Sequence, residues 1–304
     1  MSKIAFVFSG QGAQYTGMGQ SLYNNSKAAK AVFNMVDIIR EGTSKQCFES
    51  SAEELSETIN TQPCVFTVDL AAARACEEAG IVPEAVAGFS LGEIPTLSFS
   101  GILSEEEAFR LVCKRAEYMN YTATKQKGTM IAVLKLSAEQ VESICQDFDN
   151  TYPVNYNCPG QTVVATAEEN AEAFSNTVKE AGGKAVRLAV SGAFHSPFMN
   201  EAAEYLSEYL ETVTVKKPKI KAYSNVTGQG YCGDIPDLIK LQVKSPVKWQ
   251  SIIEDMIENG IDTFIEVGPG KTLSGLIKKI SKDVAVYNAE TFEDIQKISE
   301  DLKG

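Results

Sequence analysis

A serine flanked by glycines is the first feature of the sequence whose chemistry suggests a reaction. The segment Gly88-Phe89-Ser90-Leu91-Gly92 follows a short apolar run at 85–89, which predicts a buried strand, and precedes a predicted helix. At such a strand-to-helix turn the central serine points outward, and the free N–H groups of the helix N-terminus can stabilise an oxyanion. The pattern predicts a nucleophilic serine; the alternative is a glycine-rich turn whose serine is incidental.

Serine needs a neighbouring base to become a nucleophile, and the chain contains a single histidine, His195. This residue follows the last predicted strand of the middle region, in a loop where it could face Ser90 across a cleft. The order serine then histidine is also that of hydrolase-type sites. No particular acid between them stands out as a third member, so a main-chain carbonyl or an amide group could orient the ring instead.

A third candidate is Arg115, which occupies the apolar face of a predicted helix. A capping box at 104–107 starts this helix, which we expect to run to about residue 120. The apolar face consists of Ala108, Leu111, Val112, position 115, Ala116 and Met119. A buried guanidinium needs a partner. That partner is either one of the protein's own acids or the carboxylate of a substrate, which a guanidinium can bind with two hydrogen bonds.

The elements that must position these residues alternate between strands and helices, which favours a parallel sheet covered on both faces. Apolar runs at 4–8 and 261–267 predict two more buried strands, and 61–79 predicts a helix. The middle region changes this order. Strand patterns at 129–134, 154–156, 162–166 and 184–190, with helices at 138–148 and 168–181, give the β-α-β-β-α-β order of a ferredoxin-like unit. We therefore expect a large subdomain of residues 1–125 and 198–304 and a small ferredoxin-like subdomain of residues 126–197.

The helix after Ser90 contains Pro95, which has no N–H to donate to the carbonyl of Leu91. This predicts a kink or a short irregular turn near Ile94.

Composition and charge exclude several classes of function. The net charge of −12 argues against nucleic acid as a partner. No stretch approaches the roughly 18 consecutive apolar residues of a membrane span, and the run at 4–8 is too short for a signal-peptide core. The seven cysteines are scattered without a Cys-x-x-Cys pair, so neither a metal site nor a disulfide framework is expected. These observations predict a cytoplasmic protein.

Two glycine-rich segments resemble nucleotide-binding motifs without completing them. After Gly10-Gln11-Gly12 the third glycine of a dinucleotide fingerprint is replaced by Tyr15, and before Gly270-Lys271-Thr272 the glycine of a phosphate-binding loop is replaced by Ile265. Nucleotide binding is therefore not expected.

Taken in order along the chain, these motifs resemble those of the malonyl-CoA:acyl-carrier-protein transacylases. The matching segments are Gly10-Gln11-Gly12-Ala13-Gln14, the Ser90 turn followed by Glu93, Arg115-x-x-x-Met119, Asn155-Tyr156-Asn157-Cys158-Pro159-Gly160-Gln161, Gly192-Ala193-Phe194-His195-Ser196, Ser224-Asn225-Val226-Thr227-Gly228 and Glu266-Val267-Gly268-Pro269-Gly270-Lys271. The resemblance covers nearly the whole chain, and the combination is far more specific than any one motif. It implies an α/β-hydrolase-like parallel-sheet core with an inserted ferredoxin-like small subdomain.

The resemblance also implies a role for each site residue. Ser90 would be the nucleophile and His195 its base, with the ring oriented by the main-chain carbonyl of Gln242. The oxyanion hole would consist of the N–H groups of Gln11 and Leu91. The acyl pocket would be lined by Arg115, which would bind the malonyl carboxylate, together with Gln62, Phe194 and Phe89.

The implied reaction uses malonyl-CoA and acyl carrier protein in turn, with a coenzyme A thioester as substrate and no permanently bound cofactor or metal. The chain departs from the family pattern at Phe89, where histidine is usual, at Ala116, where glycine is usual, and at 94–96. The alternatives are a proofreading acyl-carrier-protein hydrolase on the same fold, an ordinary carboxylesterase and a non-catalytic carrier-binding protein. The sequence leaves open whether fatty-acid or polyketide synthesis is served.

Carrier proteins are acidic, so an acidic enzyme needs a local basic patch to bind one. The candidates are Lys184 and Arg187 on the last strand of the small subdomain, and Lys278, Lys279 and Lys282 near the C-terminus. The alternative is that these side chains only form solvated faces.

Overall fold

The chain forms two β-sheets, one parallel and one antiparallel, with helices packed around them. A computed structural model describes residues 2–190 and 192–303. Within these ranges the strands are β1 (Ile4–Phe8), β2 (Ala85–Gly88), β3 (Gly128–Leu134), β4 (Thr151–Cys158), β5 (Gln161–Ala167), β6 (Lys184–Arg187), β7 (Lys221–Ala222), β8 (Thr263–Val267) and β9 (Ala285–Ala289).

The α-helices are numbered in the same way along the described chain. They are α1 (Gln20–Asn25), α2 (Lys27–Ile39), α3 (Thr43–Glu49), α4 (Ala52–Ser56), α5 (Thr58–Glu78), α6 (Glu93–Phe99), α7 (Glu105–Lys125), α8 (Ala138–Cys145), α9 (Ala171–Glu180), α10 (Asn200–Leu210), α11 (Ile235–Gln242), α12 (Trp249–Glu258), α13 (Thr272–Ile280) and α14 (Phe292–Asp301). Short 3₁₀ turns occur at Ser90–Gly92, Glu168–Asn170 and Pro197–Met199.

The larger sheet is parallel, in the order β7-β2-β1-β8-β9. Its central strands β1, β2 and β8 are apolar along almost their whole length and buried, as expected of strands covered on both faces. The carboxyl ends of β1 and β2 lead directly into the segments that contain Gln11 and Ser90. Because ligands of open parallel sheets bind at this edge, the topology places the predicted nucleophile where a site is expected.

The smaller sheet is antiparallel, in the order β4-β5-β3-β6. Its strands and the helices α8 and α9 follow one another as β-α-β-β-α-β, and this strand order is that of a ferredoxin-like unit. The predicted fold, a parallel-sheet core with an inserted ferredoxin-like unit, is therefore confirmed. The subdomain limits at 125/126 and 197/198 stay a prediction, since the strands locate the sheets and not the limits of a separately packed unit.

Several element ends differ from the prediction. Helix α5 begins at Thr58, not at residue 61, and includes Pro63. Helix α7 continues to Lys125, five residues beyond the predicted end at 120. Helix α8 ends at Cys145 and strand β6 at Arg187, each three residues earlier than predicted.

The irregularity expected near Ile94 lies just before that residue. Helix α6 begins at Glu93, which places Pro95 in its first turn, where a missing N–H costs no helical hydrogen bond. The chain between β2 and α6 is the 3₁₀ turn Ser90–Gly92. The segment is therefore not one regular helix, as predicted, and its irregular turn ends two residues before Ile94.

Candidate active site

The turn that carries Ser90 is strained in a way that only glycine neighbours permit. Ser90 has φ of 54°, in the left-handed region that non-glycine residues rarely adopt. A Cβ at Gly88 would lie 1.8 Å from the carbonyl oxygen of Gly92, and a Cβ at Gly92 would lie 2.3 Å from that of Phe8. Both positions therefore require glycine, and this packing explains the Gly-x-Ser-x-Gly spacing.

His195 lies against Ser90, although 105 residues separate them along the chain. Its Nε2 is 2.6 Å from Oγ of Ser90, and its Nδ1 is 2.8 Å from the main-chain oxygen of Gln242. A carbonyl oxygen can only accept, so Nδ1 carries the hydrogen and the lone pair of Nε2 faces the hydroxyl. This is the geometry that a general base requires.

The environment of His195 keeps the imidazole neutral at physiological pH. Burial, followed by the positive charge of Arg115, lowers the pKa of His195 to about 4, while hydrogen bonds from the ring to the main chain act in the opposite direction. A neutral ring can accept the serine proton without first losing one of its own.

This low pKa predicts a broad plateau in the pH dependence of serine reactivity. Phenylmethanesulfonyl fluoride has no ionisable group in the relevant range, so its reaction with Ser90 reports only on the protein. His195 should add no pH dependence from about pH 8 to about pH 6, because the ring is neutral throughout; a small change near pH 7 would report on Glu93, whose pKa burial raises to about 7. The rate should then fall as the pH approaches 4, where His195 becomes protonated and can no longer accept. Circular dichroism at each pH separates this loss from unfolding, and an acidic limb near the ordinary imidazole value of about 6.5 would contradict the prediction.

Arg115 is buried beside the nucleophile, as the sequence predicts, with 2% of its surface exposed. One Nη donates to Oε1 of Gln62 at 2.6 Å, and the other donates to Oε1 of Gln242 at 3.0 Å and lies 3.4 Å from Oγ of Ser90. Its Nε has no partner, and none of the ion pairs among the described residues includes it. Neutral amides rather than a carboxylate thus hold the cation.

The charge of Arg115 is therefore only weakly compensated by the protein. Burial lowers the pKa of Arg115 to about 10, so the group is still a cation at neutral pH. The acid that acts on it is Glu93, which is fully buried and whose own pKa burial raises to about 7. A carboxylate arriving with a substrate would meet a desolvated guanidinium, where charge-assisted hydrogen bonds are strong.

A cavity of about 330 Å³ opens over these groups, between the ends of the parallel strands and the small sheet. Its walls include Gln11, Leu91, Phe89 and Phe194 as well as the three reactive side chains. The ring of Phe89 packs edge-on against Trp249, with 5.6 Å between the ring centres. Among the described residues, neither the N–H of Gln11 nor that of Leu91 is paired with another main-chain group.

The structure brings together all the predicted site residues except the docking candidates. Lys184 and Arg187 lie exposed on the edge strand β6, where Arg187 pairs with Glu168 at 2.7 Å. Lys278 and Lys279 lie exposed in the last turn of α13, and Nζ of Lys279 is 3.3 Å from Oε1 of Gln161. Because Gln161 lines the cavity, the end of α13 lies near the cavity mouth.

Sequence reasoning gave no role to three residues that the structure places behind the nucleophile. The side chain of Asn225 is hydrogen-bonded to the main chain of the Ser90 turn, and the hydroxyl of Tyr231 donates to the carboxyl group of Glu93. The only signal in the sequence was that Asn225 and Glu93 belong to matched motifs.

Other classes of site are not seen in the part of the chain that the structure describes. No helix there is long and apolar enough to cross a membrane. Nor does this part hold a group of three or more His, Cys, Asp or Glu side chains suited to a metal ion. All seven cysteines are unpaired.

Comparisons with known proteins agree with this arrangement over almost the full length. Residues 5–300 match the family described as an acyl transferase domain. The malonyl CoA-acyl carrier protein transacylase of Bacillus subtilis is 40% identical, and the match covers 96% of each chain. The crystal structure of the transacylase of that name from Clostridium perfringens superimposes with a TM-score of 0.95 at 37% identity, covering 99% of this chain and 98% of the other.

A further solved structure contains a partner. It holds a type II PKS acyl-carrier protein in complex with its malonyl-transacylase, which is 29% identical and has a TM-score of 0.94, covering 99% of this chain and all of the other. With the motifs, the fold and the relatives in agreement, the chain belongs to the malonyl-CoA:acyl-carrier-protein transacylase family of acyltransferases.

Proposed function

We propose that this protein transfers a malonyl group from malonyl-CoA to the phosphopantetheine thiol of an acyl carrier protein, through a malonyl ester on Ser90. The observation that carries the proposal is the convergence of three groups on one hydroxyl. The base Nε2 of His195 lies 2.6 Å from Oγ of Ser90, and an Nη of Arg115, which is paired with no carboxylate, lies 3.4 Å from the same oxygen. The nucleophile, the base and the carboxylate receptor are thus all within reach of one malonyl group, which carries a thioester at one end and a carboxylate at the other.

The first half-reaction forms the acyl-enzyme. Nε2 of His195 takes the proton of the Ser90 hydroxyl as Oγ attacks the thioester carbonyl. The N–H groups of Gln11 and Leu91 stabilise the oxyanion, while Arg115 holds the malonyl carboxylate in place. The carbon–sulfur bond then breaks, and His195 returns the proton to the departing thiolate of coenzyme A.

The second half-reaction runs the same steps with another thiol. The carrier protein's phosphopantetheine thiol gives its proton to His195, and its sulfur attacks the malonyl ester. The bond to Oγ breaks, and His195 reprotonates Ser90. Because a single site handles both thiols, one must leave before the other enters, and the kinetics should be ping-pong.

Arg115 favours this function over a hydrolase that removes uncharged acyl groups. A buried cation without a carboxylate costs folding free energy, and a hydrolase of uncharged acyl chains recovers none of that cost on binding its substrate. Ser90 and His195 in contact likewise disfavour a purely non-catalytic carrier-binding protein.

Isotope exchange tests the proposed function directly. In the absence of carrier protein, the enzyme should exchange labelled coenzyme A into malonyl-CoA, because the acyl-enzyme forms and reverses with coenzyme A alone. Exchange that requires carrier protein would point to direct transfer in a ternary complex and would refute the ping-pong scheme. Steady release of free malonate in place of exchange would favour the hydrolase.

We further propose that the basic residues at the cavity mouth dock the acidic carrier protein. Charge reversal by Lys278→Glu with Lys279→Glu should slow discharge of the malonyl group to carrier protein severalfold at low salt and spare loading from malonyl-CoA. The difference should shrink as salt screens the charges.

Lys27→Glu with Lys30→Glu is a matched control, since it changes the net charge equally on α2, which does not line the cavity. Equal loss of both half-reactions, or an equal effect of the control, would contradict the docking role. Lys184 and Arg187 are the second pair to reverse.

The proposed setting is the cytoplasm, where unpaired cysteines stay reduced. The coenzyme A thioester is a substrate in this scheme, and no step of it uses a permanently bound cofactor.

A further inference from the structure

The side chain of Asn225 holds both sides of the turn that carries the nucleophile. Its Oδ1 accepts a hydrogen bond from the main-chain N–H of Ser90 at 2.7 Å, and its Nδ2 donates to the main-chain oxygen of Gly88 at 2.7 Å. The two bonds span the peptide groups around Phe89. Asn225 is 1% exposed, so solvent cannot replace either bond.

The main chain of Asn225 is in turn held by a hydrogen bond to the side chain of Glu93. The main-chain N–H of Asn225 donates to Oε1 of Glu93 at 3.1 Å, and the hydroxyl of Tyr231 donates to the same oxygen at 2.5 Å. Glu93 is the first residue of α6, which begins directly after the Ser90 turn. The buried Glu93 therefore follows the Ser90 turn directly in the chain and also binds Asn225, the residue that holds the turn.

The Ser90 turn needs such support because its conformation is unfavourable. Ser90 has φ of 54°, and residues in this region stay there only when the surrounding structure determines them. The hydroxyl keeps its 2.6 Å contact with His195 only while the turn is held, because the direction of Oγ follows the main chain at Ser90.

We propose that Asn225 is a positioning residue for acylation, which keeps the Ser90 turn in its strained form and so holds Oγ against His195. This inference rests on the proposed function insofar as Ser90 is taken to be the nucleophile. The hydrogen bonds of the Asn225 side chain go to the main chain of the turn and to none of the catalytic or acyl-binding side chains assigned above, so its loss should lower the rate of acylation without changing the affinity for malonyl-CoA. A misplacement of the nucleophile by about 1 Å can lower a rate roughly a hundredfold.

The test uses Asn225→Ala and Asn225→Asp in the full chain. The alanine removes both bonds, while the aspartate keeps the acceptor for the Ser90 N–H and places an oxygen against the carbonyl of Gly88. The second variant carries the test if the first does not fold, and melting temperatures establish which variants are folded. Asn170→Ala is the matched control, since Asn170 makes a similar 2.7 Å bond from Nδ2 to a main-chain oxygen, that of Asp149 in the small sheet's connections.

Two reactions of each folded variant are followed by mass spectrometry at Ser90. With malonyl-CoA, we expect the maximal acylation rate to fall about ten- to a hundredfold and the half-saturating concentration to stay near that of the unaltered protein. With phenylmethanesulfonyl fluoride, which needs neither Arg115 nor coenzyme A, we expect the same fall in rate.

Acylation at the unaltered rate in either folded variant would overturn the proposal, and so would a change confined to the half-saturating concentration. The sulfonyl fluoride separates this proposal from the proposed function. If the unaltered protein reacts at Ser90 with the probe, in a manner that depends on Asn225, but takes no malonyl group, the positioning role stands and the malonyl assignment fails. If it takes malonyl and the folded Asn225 variants take it equally fast, the opposite holds.

Discussion

Replacing His195 with alanine should slow acylation of Ser90 by malonyl-CoA about 10²- to 10⁴-fold, the range that general bases contribute. The effect should be large because no other imidazole exists in the chain to take over, His195 being the only histidine. Its Nε2 also lies 2.6 Å from the hydroxyl, and the main-chain oxygen of Gln242 fixes the orientation of the ring. Single-turnover acylation, stopped by acid and read by intact mass, measures the loss.

The control for this prediction is the folded state of the variant. His195 has φ of 60° and its N–H donates to the oxygen of Val243 at 3.0 Å, so the main chain of the loop has its own support without the ring. The melting temperature of His195→Ala should therefore change much less than the rate. A folded variant that acylates within about threefold of the unaltered protein would rule out His195 as the base.

Replacing Arg115 with alanine should remove the preference for malonyl-CoA over acetyl-CoA. The bidentate, charge-assisted contacts of a buried guanidinium contribute about 1.5–3 kcal/mol, or about ten- to a hundredfold in relative rate. Malonate supplies the carboxylate for them and acetate does not. The unaltered protein should therefore load malonyl strongly in competition, whereas Arg115→Ala should lose malonyl loading and gain relative tolerance of acetyl. Competition between the two thioesters, read by mass at Ser90, gives the ratio.

Two further variants define what the arginine does. Arg115→Lys should recover little, because the ammonium keeps the charge but loses the planar fork that reaches Gln62 and Gln242 together. Arg74→Ala is the matched control, since this arginine is already paired with Glu77 and Glu105 and should leave the ratio unchanged. If the unaltered protein loads acetyl as readily as malonyl, Arg115 is only structural, and the hydrolase becomes the better assignment.

Local patterns in the sequence predicted the fold and the three reactive residues. Strand periodicity predicted β1 to β6 and β8 but missed the edge strands β7 and β9. The glycines around Ser90 marked the strained turn because each packs against main-chain atoms. Arg115 was detectable because a charged residue on an apolar helix face contradicts the pattern around it. The single histidine limited the choice of base to one residue.

Contacts between distant segments were beyond the reach of such patterns. Asn225 meets the Ser90 turn across 135 residues, and Glu93 meets Tyr231 across 138. Asparagine is common in loops, so nothing local distinguishes a residue that holds a turn from one that is merely solvated. Residue types alone likewise could not identify the group that orients His195. Every residue has a main-chain carbonyl, so the sequence does not show which one binds the ring.

The central claim is that Ser90 carries the malonyl group between two thiols. Its most direct test is to mix the protein with malonyl-CoA, measure the intact mass, map the modified peptide, and then add acyl carrier protein bearing phosphopantetheine. We expect one malonyl adduct per chain on Ser90, none on Ser90→Ala, and loss of the adduct as malonyl-carrier protein appears. An adduct on another residue, or one that carrier protein does not remove, would contradict the account.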